Sequence, residues 1–277
     1  MVPGAVVPAT WAVAQRWRPW HTLASLSIVG AIIGLSIWAS TSKTLITDLN
    51  GHVPLWTFLG LAALLAAFAA LVGWAITGLP MGALVDPKKG RMSLSRLQML
   101  CWTILILAAY LNAFIVNIAA GRADPVAVAI PGELLVAMGI SITGLAGAQL
   151  VLGYKQNEHG TAVPTANGTT LVLRDDGTDA SGASVRSAIA RTDRPSWRDI
   201  FMGDTAERVN SLDLGKVQLF YITVVLILGY GIFVANSFVG VKTGTAGGIG
   251  SLPALDEAFV ALLALSHGGY LTTKAAA

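Results

Sequence analysis

Two trios of polar side chains recur in this chain at one spacing. Thr103, Tyr110 and Asn117 step by seven residues, and Thr223, Tyr230 and Ser237 follow 120 residues later. A step of seven keeps each trio on one face of a helix. Inside apolar helices such groups serve one of two ends: they hydrogen-bond neighbouring helices, or they line a path for water or ions. Gln98 and Gln218 repeat at the same offset, suited to cross-linking helices or to forming a polar constriction. Arg96 and Lys216 stand just outside them. They either snorkel to phosphate headgroups or form a ring that attracts anions.

The remaining candidates are acidic or isolated. Glu133 follows Pro131, and Asp256-Glu257 follow Pro253. Proline and then carboxylate is what a helix N-terminus favours; an outer acidic vestibule that concentrates cations is the functional alternative. His267 is the most isolated polar group of the apolar spans, either packed and hydrogen-bonded or able to relay protons. No Cys or His cluster has metal spacing. The glycine-rich run 244–250 follows no strand, so it is no dinucleotide fingerprint. The chain carries no catalytic signature. No enzyme activity, metal, cofactor or nucleic-acid partner is expected.

Apolar elements must hold these groups in place. Hydrophobic residues make up 54% of the 277 and charged ones only 12%, against about 25% charged in a soluble domain. Uncharged runs of membrane length predict an all-α membrane protein with six transmembrane helices. The expected spans are 21–40, 55–79, 93–121, 131–154, 217–240 and 253–274. Trp20 and Trp38 are 18 residues apart, as are Trp56 and Trp74. At ~1.5 Å rise that is roughly 27 Å, near the hydrocarbon thickness, with aromatic anchors at both interfaces. Residues 1–21, with Trp11, Arg16, Trp17 and Arg18, suit the headgroup layer or a partner-docking arm. The single cysteine, Cys101, sits in an apolar span and reads as a packing residue.

Topology follows from the basic residues. With the N-terminus in the cytoplasm, fifteen of the 18 Lys and Arg fall inside, and only Lys43, Arg122 and Lys242 outside. Both termini are then cytoplasmic, in a bacterial inner membrane. The polar stretch 155–212 lies on the same side. Its first part, with Leu171-Val172-Leu173 before the turn Asp175-Asp176-Gly177, predicts a mobile segment or a small hairpin. Ser196 reads as the N-cap of a short interfacial helix carrying Ile200, Phe201 and Met202.

The organisation is therefore an interfacial lead (1–21), a two-helix layer (22–79), one helix pair (91–154), a cytoplasmic loop (155–212) and a second helix pair (213–277). Helices 3–4 and 5–6 form a parallel internal repeat, since an even number of crossings separates them. Their second helices share a small-residue face: Gly139, Thr143 and Gly147, then Ala264, Gly268 and Thr272. Such a face lets helix backbones approach closely. The openings Ser93-Leu94-Ser95-Arg96-Leu97-Gln98 and Asp213-Leu214-Gly215-Lys216-Val217-Gln218, with the ending Ala264 to Leu271, resemble those of bacterial multi-pass membrane proteins of unassigned function. That resemblance covers about residues 91–275 and implies no activity, ligand or site residue. Two functions are expected: an oligomeric channel or passive transport component, or a non-conducting scaffold whose loop docks a cytoplasmic protein. The expected surroundings are the lipid bilayer and further copies of the chain.

Overall fold

The computed structural model describes residues 17–41, 52–86, 90–137, 139, 161–164, 169–178, 184–192, 195–203, 211–239 and 248–276. It is 76% helical. Among the described residues four helices are long and apolar enough to cross a membrane: α1 (Pro19–Thr41), α2 (His52–Thr77), α3 (Leu94–Ala119) and α4 (Leu214–Phe238). A fifth, α5 (Glu257–Ala276), covers the sixth expected span, but His267, Gly268, Gly269 and Lys274 make it more polar. Of the expected span 131–154, residues 132–137 are helical; most of the remainder, with Thr143 and Gly147, lies outside the described residues.

Several lone hydroxyls in these helices are satisfied locally, whereas those of Ser25 and Ser266 are buried without a partner. Ser27, Ser36, Thr57 and Thr77 each donate to the carbonyl four residues back, which leaves no polar hydrogen facing an apolar medium. Trp20, at the start of α1, meets Trp74, near the end of α2, with ring centroids 5.1 Å apart. The two helices therefore run antiparallel, and one member of each 18-residue tryptophan pair lies at the same end.

The expected all-helical chain also contains short strands. β1 (Val85–Asp86) and β2 (Arg91–Met92) make an antiparallel hairpin just before α3. Within the loop, β3 (Thr161–Pro164), β4 (Thr169–Thr178) and β5 (Ser184–Thr192) form a three-stranded antiparallel sheet in order β3-β4-β5. The expected short strand at Leu171–Leu173 is the middle of β4, paired with Ala188–Ala190. The run Leu171-Val172-Leu173 is rich in strand-forming side chains, and Val172 stands opposite Ile189.

The largest apolar cluster joins Phe58 and Leu61 of α2, Trp102, Leu105 and Ile115 of α3, Leu226, Tyr230 and Phe238 of α4, and Leu263 of α5. A second cluster lies at the N-terminal ends of α3 and α4, built from Val85, Met92, Leu94, Ile200 and Leu219. Since both helices begin in that second cluster, α3 and α4 run in the same direction. Close backbone approach fixes the entry to α3. A Cβ on Gly82 would strike Thr77 Oγ1 and the Gly73 carbonyl, and one on Gly73 would strike the Ala83 backbone. Gly82→Ala is accordingly expected to lower the unfolding midpoint in detergent by several degrees. Gly132→Ala, with open space around its Cβ position, is expected to leave it unchanged.

Candidate functional site

Polar groups form a network at each end of α3 and α4, while Thr103, Tyr110, Thr223 and Tyr230 lie along the middle of the helices. At the N-terminal end, the hairpin and the turn Trp197–Phe201 dock on one another. The turn is a 3-10 helix of five residues, shorter than the expected interfacial helix. Asp199 organises it: the carboxylate accepts from the Ser196 N–H (2.8 Å) and from the Ser196 hydroxyl (3.2 Å). It also faces β2, taking the Met92 N–H at 3.4 Å. Arg91, in β2, is almost fully buried. It donates to the Gly203 carbonyl at 2.7 Å and places Nε 3.8 Å from Asp199 Oδ1, a charge pair, too long for a hydrogen bond. Asp86, also buried, is the cross-strand neighbour of Arg91.

Lys216 completes this latch. It is buried, and its Nζ donates to the Met202 carbonyl at 2.6 Å. It therefore does not reach headgroups, as a snorkelling side chain would. Its position on the first turn of α4 is held by Asp213, whose side chain caps Gly215 and Lys216 N–H groups. Arg96, its expected counterpart, is half-buried, with a buried and unpartnered Nε. The two cations are thus not equivalent: the segment 195–203 lies against Lys216 and Arg91.

The two glutamines also part company. Gln98 is fully buried, and neither of its amide atoms has a partner; Trp102 Nε1, one turn further along α3, has none either. Gln218 is exposed on α4.

At the opposite end Asn117 is the organiser. Buried at the last turns of α3, it donates Nδ2 to the Pro125 carbonyl (3.1 Å) and to the Ile249 carbonyl (2.9 Å). Its Oδ1 accepts the Ile249 N–H at 2.7 Å. One side chain thereby ties the loop after α3 to the loop before α5. Beside it the two loops pair directly: Ala129 N–H donates to Gly250 O, and Leu252 N–H to Ala129 O. A Cβ on Gly248 would collide with Asn117 Oδ1 and the Arg122 side chain. The close approach needs glycine there.

Both tyrosines reach these same loops. Tyr110 donates to Val126 O at 3.2 Å and Tyr230 to Pro253 O at 3.0 Å. Thr103, Thr223 and Ser237 instead bond back to their own helices, at Met99, Leu219 and Val234. Threonine and serine in a helix find an acceptor one turn back first. A Tyr110→Phe or Tyr230→Phe exchange removes a single hydroxyl–carbonyl bond, expected to cost ~0.6–1.7 kcal/mol. Unfolding followed by tryptophan fluorescence in detergent checks this.

Among the acidic candidates, Asp256 and Glu257 are exposed and Glu133 half-buried. Asp256 Oδ1 takes the Ala258 N–H at 2.8 Å, as a helix N-terminus calls for. His267 is buried in α5 and donates Nδ1 to Leu263 O at 2.9 Å, with Nε2 left unpartnered. Gly139 is half-buried; Ala264 and Gly268 are exposed. Thr272 lies within α5. Among the described residues no three His, Cys, Asp or Glu side chains gather as a metal would require.

Sequence reading missed Asp199, Arg91 and Gly248 as organisers. A signal existed for Asp199, three residues after Ser196 in a capping arrangement. Nothing local marked Arg91, whose acceptor lies 112 residues away. No family model, curated protein or solved structure matches this chain.

Proposed function

We propose that this chain is a multi-pass protein of the bacterial inner membrane, with six spans and both termini cytoplasmic. Its spans three–four and five–six form a parallel repeat. On this reading it is a non-conducting scaffold that holds its cytoplasmic loop, 155–212, against the membrane face and presents it to a soluble partner. The observation that carries the reading is the latch: Arg91, Asp199 and Lys216 are buried together where the loop returns to α4.

Several features support the repeat. α3 and α4 start in one shared cluster. Each is preceded by a similar local device, a 3-10 turn followed by an antiparallel bridge, which is a two-residue ladder before α3 and a single bridge before α4. The Ser93 N–H donates to the carbonyl of Leu84, the last residue of the first turn; the Asp213 N–H donates to that of Phe201, the last of the second. Met92 pairs with Val85, and Leu212 with Met202. The duplicated unit on this reading begins upstream of Ser93 and Asp213.

Polar groups used up in loop ties and back-bonds leave little to line a path, which favours a scaffold over a channel. One observation favours the channel: the buried, unpartnered Gln98 amide on α3. Reconstitution into liposomes separates the two. The scaffold predicts no flux of ions or small neutral solutes above empty vesicles. It also predicts that deleting residues 160–190 abolishes recovery of a soluble partner. Flux that falls in the Tyr110→Phe, Tyr230→Phe double variant would reject it in favour of the channel.

A further inference from the structure

We propose that His21 is a proton-operated clasp: uncharged, it holds Trp17 and Arg18 onto the first turn of α1, and protonated, it lets them go. Arg18 and His21 are bonded reciprocally. The His21 N–H donates to the Arg18 carbonyl at 2.9 Å, and the Arg18 N–H donates to His21 Nδ1 at 2.9 Å. Between them Pro19 is the first residue of α1, where its missing N–H costs nothing. This is the reciprocal bonding of a capping box, with an imidazole in the place usually taken by Glu or Gln.

The protonation state follows from the bond. A backbone N–H can only donate, so Nδ1 carries no proton and the ring is neutral. A proton there would turn the acceptor into a second donor facing the Arg18 N–H. The clasp therefore exists only in the uncharged form.

Nothing around the ring compensates for a charge. His21 is 1% exposed, and its Nε2 is buried with no partner. The rings of Trp20, Trp17 and Trp74 surround it, with centroids 3.7, 5.7 and 6.3 Å away. Both α2 and α3 pack on α1, and none of the three helices contains Asp or Glu. The charged groups they bring are cations: Arg18 just before α1 and Arg96 in the first turn of α3, while His52 stands at the far end of α2. The N-terminal end of a helix also disfavours a cation. Attraction of an imidazolium to the Trp20 ring offsets about 0.5–2 kcal/mol, less than the several kcal/mol that a buried unpaired charge costs. Opening thus takes up a proton, and acid favours the open form. The second tie of this segment, Trp17 Nε1 to Thr22 Oγ1 at 2.7 Å, contains no titratable group. The entry to the first span is in this way coupled to pH.

Electron paramagnetic resonance of the full chain in nanodiscs tests the clasp, with a nitroxide on Arg18→Cys in a Cys101→Ala background. Residue 18 is exposed, and cysteine keeps the backbone N–H. The ratio of mobile to immobile label is expected to rise at least tenfold as the pH falls across the imidazole range, from about 8 to 5. Adding His21→Gln keeps an acceptor that does not titrate, and should hold the label immobile throughout. Adding His21→Ala removes the acceptor and should leave it mobile throughout. Mobility that ignores pH with His21 in place, a pH response that survives His21→Gln, or an immobile label in His21→Ala would each overturn the proposal.

Discussion

Asn117→Ala is expected to lower the unfolding midpoint of the protein in detergent or nanodiscs by roughly 6–12 °C, the equivalent of ~3 kcal/mol at this chain length. Three hydrogen bonds go with the amide, two to carbonyls and one from the Ile249 N–H. The loop carrying Ile249 is otherwise tied to the first loop by the two backbone bonds at Ala129. Asn117→Asp is the sharper variant. It keeps the acceptor for Ile249 but turns a carboxylate toward the Pro125 and Ile249 carbonyls, and is expected to destabilise at least as much as alanine. Ser237→Ala, at the matching place on α4, removes only a bond to Val234 of the same helix. Its expected cost is below ~0.6 kcal/mol. Equal effects from Asn117→Ala and Ser237→Ala would mean that the loop tie carries no stability. Gly248→Ala is expected to resemble Asn117→Ala, since its methyl group would occupy the space of Asn117 Oδ1.

Asp199→Ala is expected to release the segment 195–212 from the N-terminal ends of α3 and α4. The substitution removes the acceptor of the Ser196 N–H and the charge facing Arg91. Breaking a buried charge pair from one side costs about 3–5 kcal/mol; here Asp86 still stands across the hairpin from Arg91, so the lower end is expected. The measurement is limited proteolysis of the protein in nanodiscs. Cleavage between residues 195 and 212 should rise at least tenfold, while the spans stay intact. Asp199→Asn keeps the acceptor oxygen but not the charge and should fall between wild type and alanine. An unchanged cleavage rate in Asp199→Ala would show that the turn is held by its apolar side chains, Ile200 and Phe201, alone.

Periodicity and hydropathy were enough to place α1, α2, α3 and α4, because a membrane-length apolar run has few other ways to satisfy its backbone. The cap at Ser196 and the tryptophan spacing were legible for the same reason: each is a local pattern. The hairpin at Val85–Met92 left no signal in the sequence, since two-residue strands leave almost no period to detect. The polar trios were legible as a face but not as a set of bonds. Threonine and serine bond back within one turn, whereas tyrosine and asparagine reach loops 8 to 132 residues distant. Lys216 illustrates the same limit. A lysine at a helix entry normally extends to headgroups, yet here the returning loop brings a carbonyl to it. Contacts that depend on where a long loop comes back leave no trace in spacing.

The most direct test of the account is the side of the membrane on which each end of α3 and α4 lies. Single cysteines at Ser93 and Ser211, and at Asp124 and Ala254, would be introduced in a Cys101→Ala background and labelled with an impermeant thiol reagent in spheroplasts and in inverted vesicles. The parallel arrangement predicts that residues 93 and 211 react only in inverted vesicles and that 124 and 254 react only in spheroplasts. Labelling of 93 and 211 from opposite sides would contradict it.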